Sequence, residues 1–438
     1  MNHRNLHVNP LKKSSVFGAT LAMLGIDQAL ALHHGSQGCT AFTKNILTQH
    51  FREITPMQTT ALCDIATIMG DDVNLHEGLN TIITKAQPRL VGLITTGVSE
   101  TKGDDVEGGV RRFYEKYPQH AGVPVITINT PDYQGDAQWG YVQAVQALLD
   151  QLPIAKQPVN SRQITVLASM ALTPGDAEEL KEIIADFDLE AIVLPDLGAT
   201  MGGGVDHYIK VPEGDYPLEK LLQVGASAHT IAIGASMEEV ARSLQERFGT
   251  PISLLPSLIG VHNSDNFIMA LSRISAKPVP QKYSRQRRQL LDAMLDSHFF
   301  YNGKSVIIAA ESDLALSMAD FLHHETGLDI ACAIVSHRLP GESDPHYPIL
   351  TGDLGDLEDL ANGCSAIITN SNGILASTRK NIPLLRVGYP IKDRLGEQLK
   401  VFIGYRGSRN LVYELGNIFL EQDEEASFHY KNIRGVPA

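Results

Sequence analysis

Cysteine is scarce in this chain. There are four in 438 residues (Cys39, Cys63, Cys332 and Cys364), and no two have C-x-x-C spacing. A disulfide framework is excluded by so few cysteines in so long a chain. A zinc or cluster site encoded within one short segment is excluded by their spacing. Both point to a reducing, cytoplasmic setting. Basic residues are also short, 36 Lys and Arg against 50 Asp and Glu, for a net charge of −14. No cationic excess exists to meet nucleic-acid phosphates, whereas a partner with a basic face would be attracted. No apolar run approaches the ~18 residues of a membrane span, and Met1 to Lys13 is polar and mixed, unlike a signal peptide. Known catalytic motifs are missing too. No G-x-S-x-G elbow occurs. Gly303-Lys304-Ser305 resembles the end of a phosphate loop, but residue 298 is His where Gly is required, and a strand follows. In Met201-Gly202-Gly203-Gly204 the dinucleotide spacing is broken by His207.

What remains is a globular chain, 43% hydrophobic and 20% charged. Its apolar segments alternate between short continuous runs and helical periodicity. Arg89 to Thr96 and Val123 to Ile128 read as strands apolar on both faces, with a helix opened by Asp104-Asp105 between them. That pattern means a parallel sheet covered by helices. It repeats at Ile164–Leu167, Ala191–Leu194, Thr230–Ile233 and Ile252–Leu255, and again at Lys304–Ala309, Ile330–Val335, Ala366–Thr369 and Leu384–Val387. Residues 14 to 32 lead through an amphipathic helix, Ser15–Leu24, to a short strand, Ala29–Leu32. Gly70-Asp71-Asp72 reads as a stop and an N-cap. Pro153 to Arg162 reads as a linker, Asn410 to Leu420 as the last helix, and Glu421 to Ala438 as a polar surface tail. The expected fold class is α/β, with three Rossmann-like, doubly wound parallel-sheet domains at residues 1–155, 156–282 and 283–438. Ligands in such folds bind at the carboxyl ends of the strands, which draws attention to the loop from Gly97 to Asp105.

The most informative stretch is His33-His34-Gly35-Ser36-Gln37-Gly38-Cys39. A small-residue loop delivers one cysteine to the start of a helix in which Ala41, Phe42, Ile46, Leu47, His50 and Phe51 have helical spacing. A thiol there ionises more easily, because unpaired N–H groups and the helix dipole favour the anion. Gly35 and Gly38 remove Cβ atoms where backbone must come close to something bulky, and successive N–H groups in such a turn donate to anions or to cluster sulfides. The stretch suits a large, soft, anionic group such as an iron–sulfur cluster. The plainer alternative is a small buried hydrophobe, the commoner fate of a lone cysteine. His33 and His34 stand beside Cys39 as candidates for orienting contacts. His323 and His324 fit favourable dipole contacts at a helix end. Cys63, Cys332 and Cys364 read as core residues.

Gly35-Ser36-Gln37-Gly38-Cys39, followed by His50-Phe51-Arg52-Glu53, resembles the β-type subunits of the nitrogenase component 1 superfamily. The likeness continues at Thr95 to Asp105, Thr369 to Gly373, Gly388 to Arg394 and Gly404 to Gly407. Catalytic β subunits of that superfamily place three cysteines on an eight-iron cluster. Here only Cys39 matches. Ile54-Thr55-Pro56-Met57 and Thr95-Thr96-Gly97, where the likeness would put the other two, offer no thiolate. The resemblance therefore implies a scaffold subunit rather than an enzyme. Cys39 would be one ligand of a [4Fe-4S] cluster shared with a homologous E-type subunit in an α₂β₂ heterotetramer. Gly35, Ser36, Gly38 and His34 would surround that cluster. It further implies an iron–molybdenum cofactor precursor held mainly by the partner, a nitrogenase iron protein that docks transiently, and proteins that deliver or carry the precursor. The alternative within the superfamily is a catalytic β-type subunit of a nitrogenase or of a dark-operative protochlorophyllide reductase.

Overall fold

Thirteen strands, all paired in parallel, form three sheets among the described residues. The structure, a computed structural model, describes residues 10–53, 55–63, 67, 72–203, 210–338 and 346–433. The first sheet holds β1 (Ala29–His34), β2 (Met57–Thr59), β3 (Leu90–Thr95) and β4 (Val125–Ile128) in the order β2-β1-β3-β4. The second holds β5 (Asn160–Ala168), β6 (Glu190–Leu194), β7 (Ser227–Ile233) and β8 (Ile252–Leu255) in the order β6-β5-β7-β8. The third holds β9 (Ser305–Ala310), β10 (Asp329–Val335), β11 (Ile349–Thr351), β12 (Ala366–Thr369) and β13 (Leu384–Arg386) in the order β11-β10-β9-β12-β13. This is the expected fold class, α/β with doubly wound parallel sheets. In each sheet the chain leaves the first strand towards one side and later returns to the other. The topological switch points therefore lie between β1 and β3, β5 and β7, and β9 and β12, where α/β sheets open a crevice.

The sheets share their cores. The largest core joins residues of the second and third sheets, among them Ile164, Val166, Ile308 and Ile368. The next joins the first and second, with Ala31, Ile94, Leu167 and Ile192. Helix Ser15–Leu24 lies between them and is buried on every side. It is not amphipathic, because Gly18 and Gly140 let it pack backbone to backbone on helix Ala137–Gln151. A Cβ at either glycine would run into the other helix's backbone.

Several boundaries depart from the periodicity. β1 runs on through His33 and His34, both buried. Gly97–Lys102 is a short helix, not a loop. Asp72 stands at an N-cap but gives its carboxylate to Arg112 rather than to the backbone, while Gly70 and Asp71 lie outside the described residues. The last helix spans Gly404–Ile433, well into the supposed tail, and packs against helix Gln281–Tyr301, where Tyr301 donates to the Val412 carbonyl at 2.7 Å. No helix among the described residues is long and apolar enough to cross a membrane.

Candidate functional site at the end of the first strand

Cys39 sits just beyond the carboxyl end of β1, at the first sheet's switch point. Helix Gln37–Phe51 begins two residues before it. Ser36 is the N-cap but makes no capping hydrogen bond; its hydroxyl lies 3.8 Å from the Cys39 sulfur. The first-turn amides therefore lack a capping side-chain acceptor.

The turn before the helix is held from both neighbouring strands. After β2, Thr60 Oγ1 accepts from Gly35 N–H at 3.2 Å, and Gly35 O accepts from Leu62 N–H at 2.9 Å. After β3, Thr96 Oγ1 donates to His34 O at 3.0 Å, while Thr96 and Ser99 form a reciprocal cap on helix Gly97–Lys102. The two glycines then differ. A Cβ on Gly35 would collide with the Thr96 side chain, so this glycine is required by packing inside the chain. A Cβ on Gly38 would meet only Ser36 Oγ, at 3.9 Å. The bulky neighbour expected at both positions is Thr96 at Gly35; at Gly38 it is open space.

The histidines are engaged within the fold. His33 is fully buried, with its ring nitrogens at Thr20 Oγ1 (2.7 Å) and Thr40 Oγ1 (3.0 Å). Burial lowers its pKa to about 4. His34 faces Thr60 Oγ1 at 3.1 Å and Asp104 at 3.4 Å. Burial lowers its pKa despite the opposing pull of Asp104. His34 therefore braces the turn through Thr60, and neither of its hydrogen-bonding atoms is directed to Cys39. Asp105, not Asp104, caps the following helix through Gly108 N–H. Cys332 and Cys364 are buried as expected, but Cys63 is exposed. Its neighbour Leu62 is tied to the Gly35 turn through the backbone, so backbone pairing rather than side-chain burial holds this segment.

Periodicity gave no signal for how the helix is fastened. His50 Nδ1 accepts from Ile391 N–H at 2.9 Å, its ring packs 4.5 Å from Tyr389, and Arg52 donates to Lys392 O at 2.6 Å. The segments His50 to Glu53 and Gly388 to Arg394, about 340 residues apart, thus form one clamp. It brings the third sheet's loops against the Cys39 helix. Between them lies an open groove of about 440 Å³ lined by Cys39, Phe42, Lys12, Asp132, Asn372 and Lys392, among others. Phe42 is 75% exposed at its rim.

Cys39 is half-buried in this groove. A partly exposed thiol on an open helix N-terminus, beside lysines, suits a soft anionic metal–sulfur group. The donor set is incomplete, since no three His, Cys, Asp or Glu among the described residues could hold a metal ion. Cys39 thus fits one corner of such a group.

Comparison with known proteins agrees with this architecture. The family model described as nitrogenase component 1 type oxidoreductase matches residues 14–420. A protein of Nostoc sp. PCC 7120, named nitrogenase iron-molybdenum cofactor biosynthesis protein NifN, is 41% identical over 96% of this chain and 95% of its own. The NifN proteins of Rippkaea orientalis and Klebsiella pneumoniae are 40% and 36% identical, over 98% and 99% of this chain and 97% and 95% of theirs. Among solved structures, a chain of nitrogenase Cp1 at pH 6.5 matches with a TM-score of 0.91 at 29% identity, over 97% of this chain and 96% of that one. The chain therefore belongs to the nitrogenase component 1 family, alongside the NifN proteins.

Proposed function

We propose that this chain is a scaffold subunit for assembly of the iron–molybdenum cofactor of nitrogenase. It has no catalytic residues of its own and acts in the cytoplasm. Cys39 supplies one thiolate to a [4Fe-4S] cluster at a subunit boundary, and a homologous E-type partner supplies the others in an α₂β₂ assembly. The precursor cluster is held mainly by that partner. When bound, the shared cluster supplies one-electron transfer. On this side of the boundary the Ser36 hydroxyl lies beside the sulfur, Gly38 keeps open space at the neighbouring position, and exposed Phe42 offers an aromatic surface for the partner to cover. The observation that carries the reading is the half-open thiol with an incomplete donor set around it. Identity to NifN proteins along almost the whole chain supports the biosynthetic role.

The likeness to a nitrogenase chain favours a second reading, a catalytic β-type subunit. One experiment separates the two. The chain is co-expressed with its E-type partner under anaerobic conditions, as wild type and as Cys39→Ala, and iron and electron paramagnetic resonance are measured. The expected outcome is a four-iron cluster in the wild type and loss of its signal in the variant. Unchanged iron and spectra in Cys39→Ala overturn the assignment, and an eight-iron cluster in the wild type favours the catalytic reading.

A further inference from the structure

The groove beside Cys39 carries a charge that its own chain does not cancel. Three lysines line it. Lys13 is buried and paired with Glu311 at 2.8 Å, so its charge is spent inside the protein. Lys12 and Lys392 differ. Lys12 donates to the main-chain carbonyl of Asp132 at 3.1 Å, and Lys392 to the amide oxygen of Asn372 at 3.0 Å. Both acceptors are neutral, so each ammonium is held in position without being neutralised. The lining carboxylate is Asp132, whose Oδ1 accepts from Ser15 N–H at 3.1 Å and Ser15 Oγ at 2.9 Å. The groove thus keeps a net positive charge in a chain whose total is −14. Lys392 is not there by accident of a loose loop. Its backbone is clamped by Arg52, the residue that ends helix Gln37–Phe51, and its neighbour Ile391 by His50 in the last turn of that helix.

We infer that Lys12 and Lys392 are positioning charges that raise the reduction potential of the metal–sulfur group held at Cys39. This rests on the cluster assignment for Cys39 above. Adding one electron makes the group one charge more negative, and a nearby fixed cation stabilises that state more than the oxidised one. Net charge and surroundings of this kind set iron–sulfur potentials. The lysines approach from opposite ends of the sequence and act independently, so their effects add.

The test uses the co-purified pair, with dithionite as reductant and redox mediators, titrated under electron paramagnetic resonance. Lys12→Met and Lys392→Met should keep wild-type iron and lower the midpoint potential. At the wild-type midpoint the reduced-to-oxidised ratio should fall about threefold in each and about tenfold in the double variant, the latter about 59 mV for one electron. Lys392→Arg should restore the wild-type value, and Lys392→Glu should lower it further than Met. Lys44→Met, on a different face of the same helix, lines a separate cavity and should leave it unmoved. Wild-type iron with an unshifted potential in the double variant overturns this inference while leaving the cluster assignment intact. A pair in which the wild type binds no iron overturns that assignment instead.

Discussion

At the end of β1, Gly38 has open space where a Cβ would go. At the end of β7, Gly234 has none. Its φ is +92°, and a Cβ there would strike the Asp313 carboxylate and the Ser169 side chain. Both glycines lie just past the carboxyl end of a strand at a switch point. The second and third sheets, however, close on one another there. Asp313, from the helix after β9, accepts from Ser236 N–H at 3.2 Å and Ser236 Oγ at 2.5 Å, and its own N–H donates to Gln138 at 2.9 Å. The cavity left at that junction is about 20 Å³, against about 440 Å³ beside Cys39. One topology therefore yields a crevice or a seam, depending on whether another part of the chain supplies the side chains that fill it.

The sharpest way to break the comparison is to overfill the seam. Gly234→Ala combines a backbone conformation that side chains disfavour with a collision against a hydrogen-bonded carboxylate. Strain of the first kind costs about 1–3 kcal/mol and overpacking about the same. The variant should lose about 2–6 kcal/mol in urea unfolding. A loss below about 1 kcal/mol would mean that the seam yields easily and is not the closed counterpart of the Cys39 groove.

Acid should act on the open side, through the clamp. His50 Nδ1 accepts the Ile391 N–H, so the ring must stay neutral. Burial lowers its pKa from 6.5 to about 3. As pH falls below 6.5 the unfolded chain takes up a proton that the folded chain refuses until about pH 3. The stability is complete above pH 6.5 and drains away across that window, at up to about 1.4 kcal/mol per pH unit. By pH 5 the loss from this residue is about 2 kcal/mol. His33, with its pKa lowered to about 4, adds in the same direction. His50→Gln, whose amide oxygen still accepts, should flatten the slope of unfolding free energy between pH 6.5 and 5. An unchanged slope would show that the ring does not fasten the Cys39 helix to the third sheet.

The same contrast explains what could be read in advance. Strands such as Leu90–Thr95 were legible because a parallel strand covered on both faces must be apolar throughout. β1 was cut short at Leu32 because two histidines look like an end. Their burial becomes tolerable only through Thr20, Thr40, Thr60 and Asp104, hydroxyls and a carboxylate from four other places in the chain. Helix Ser15–Leu24 was misread as amphipathic because which faces are covered is decided by helix Ala137–Gln151, over a hundred residues away. At the site, the thiol and its small-residue turn were local and therefore visible. The clamp, the reason for Gly35 and the two lysines were not, since each depends on a partner brought in by the fold. The seam was invisible for the same reason: nothing near Gly234 announces Asp313.

The smallest expected change in stability is at Gly38, and it sharpens the comparison most. Gly38 is the second residue of helix Gln37–Phe51 and is exposed. Alanine is favoured over glycine within a helix by up to about 1 kcal/mol, less in the first turn. Gly38→Ala should thus leave the isolated chain as stable as before or a few tenths of a kcal/mol more so. Gly35→Ala, three residues earlier, collides with Thr96 and should destabilise it. The space in front of Gly38 is needed only by what docks there, so the cost should appear in the assembled pair. Iron retained after anaerobic co-purification should fall in Gly38→Ala and further in Gly38→Val, while the urea midpoint of the isolated chain in the alanine variant does not drop. If both variants keep full iron, the emptiness at the end of β1 is not a place reserved for a cluster and its second subunit. The difference between Gly38 and Gly234 would then concern packing alone.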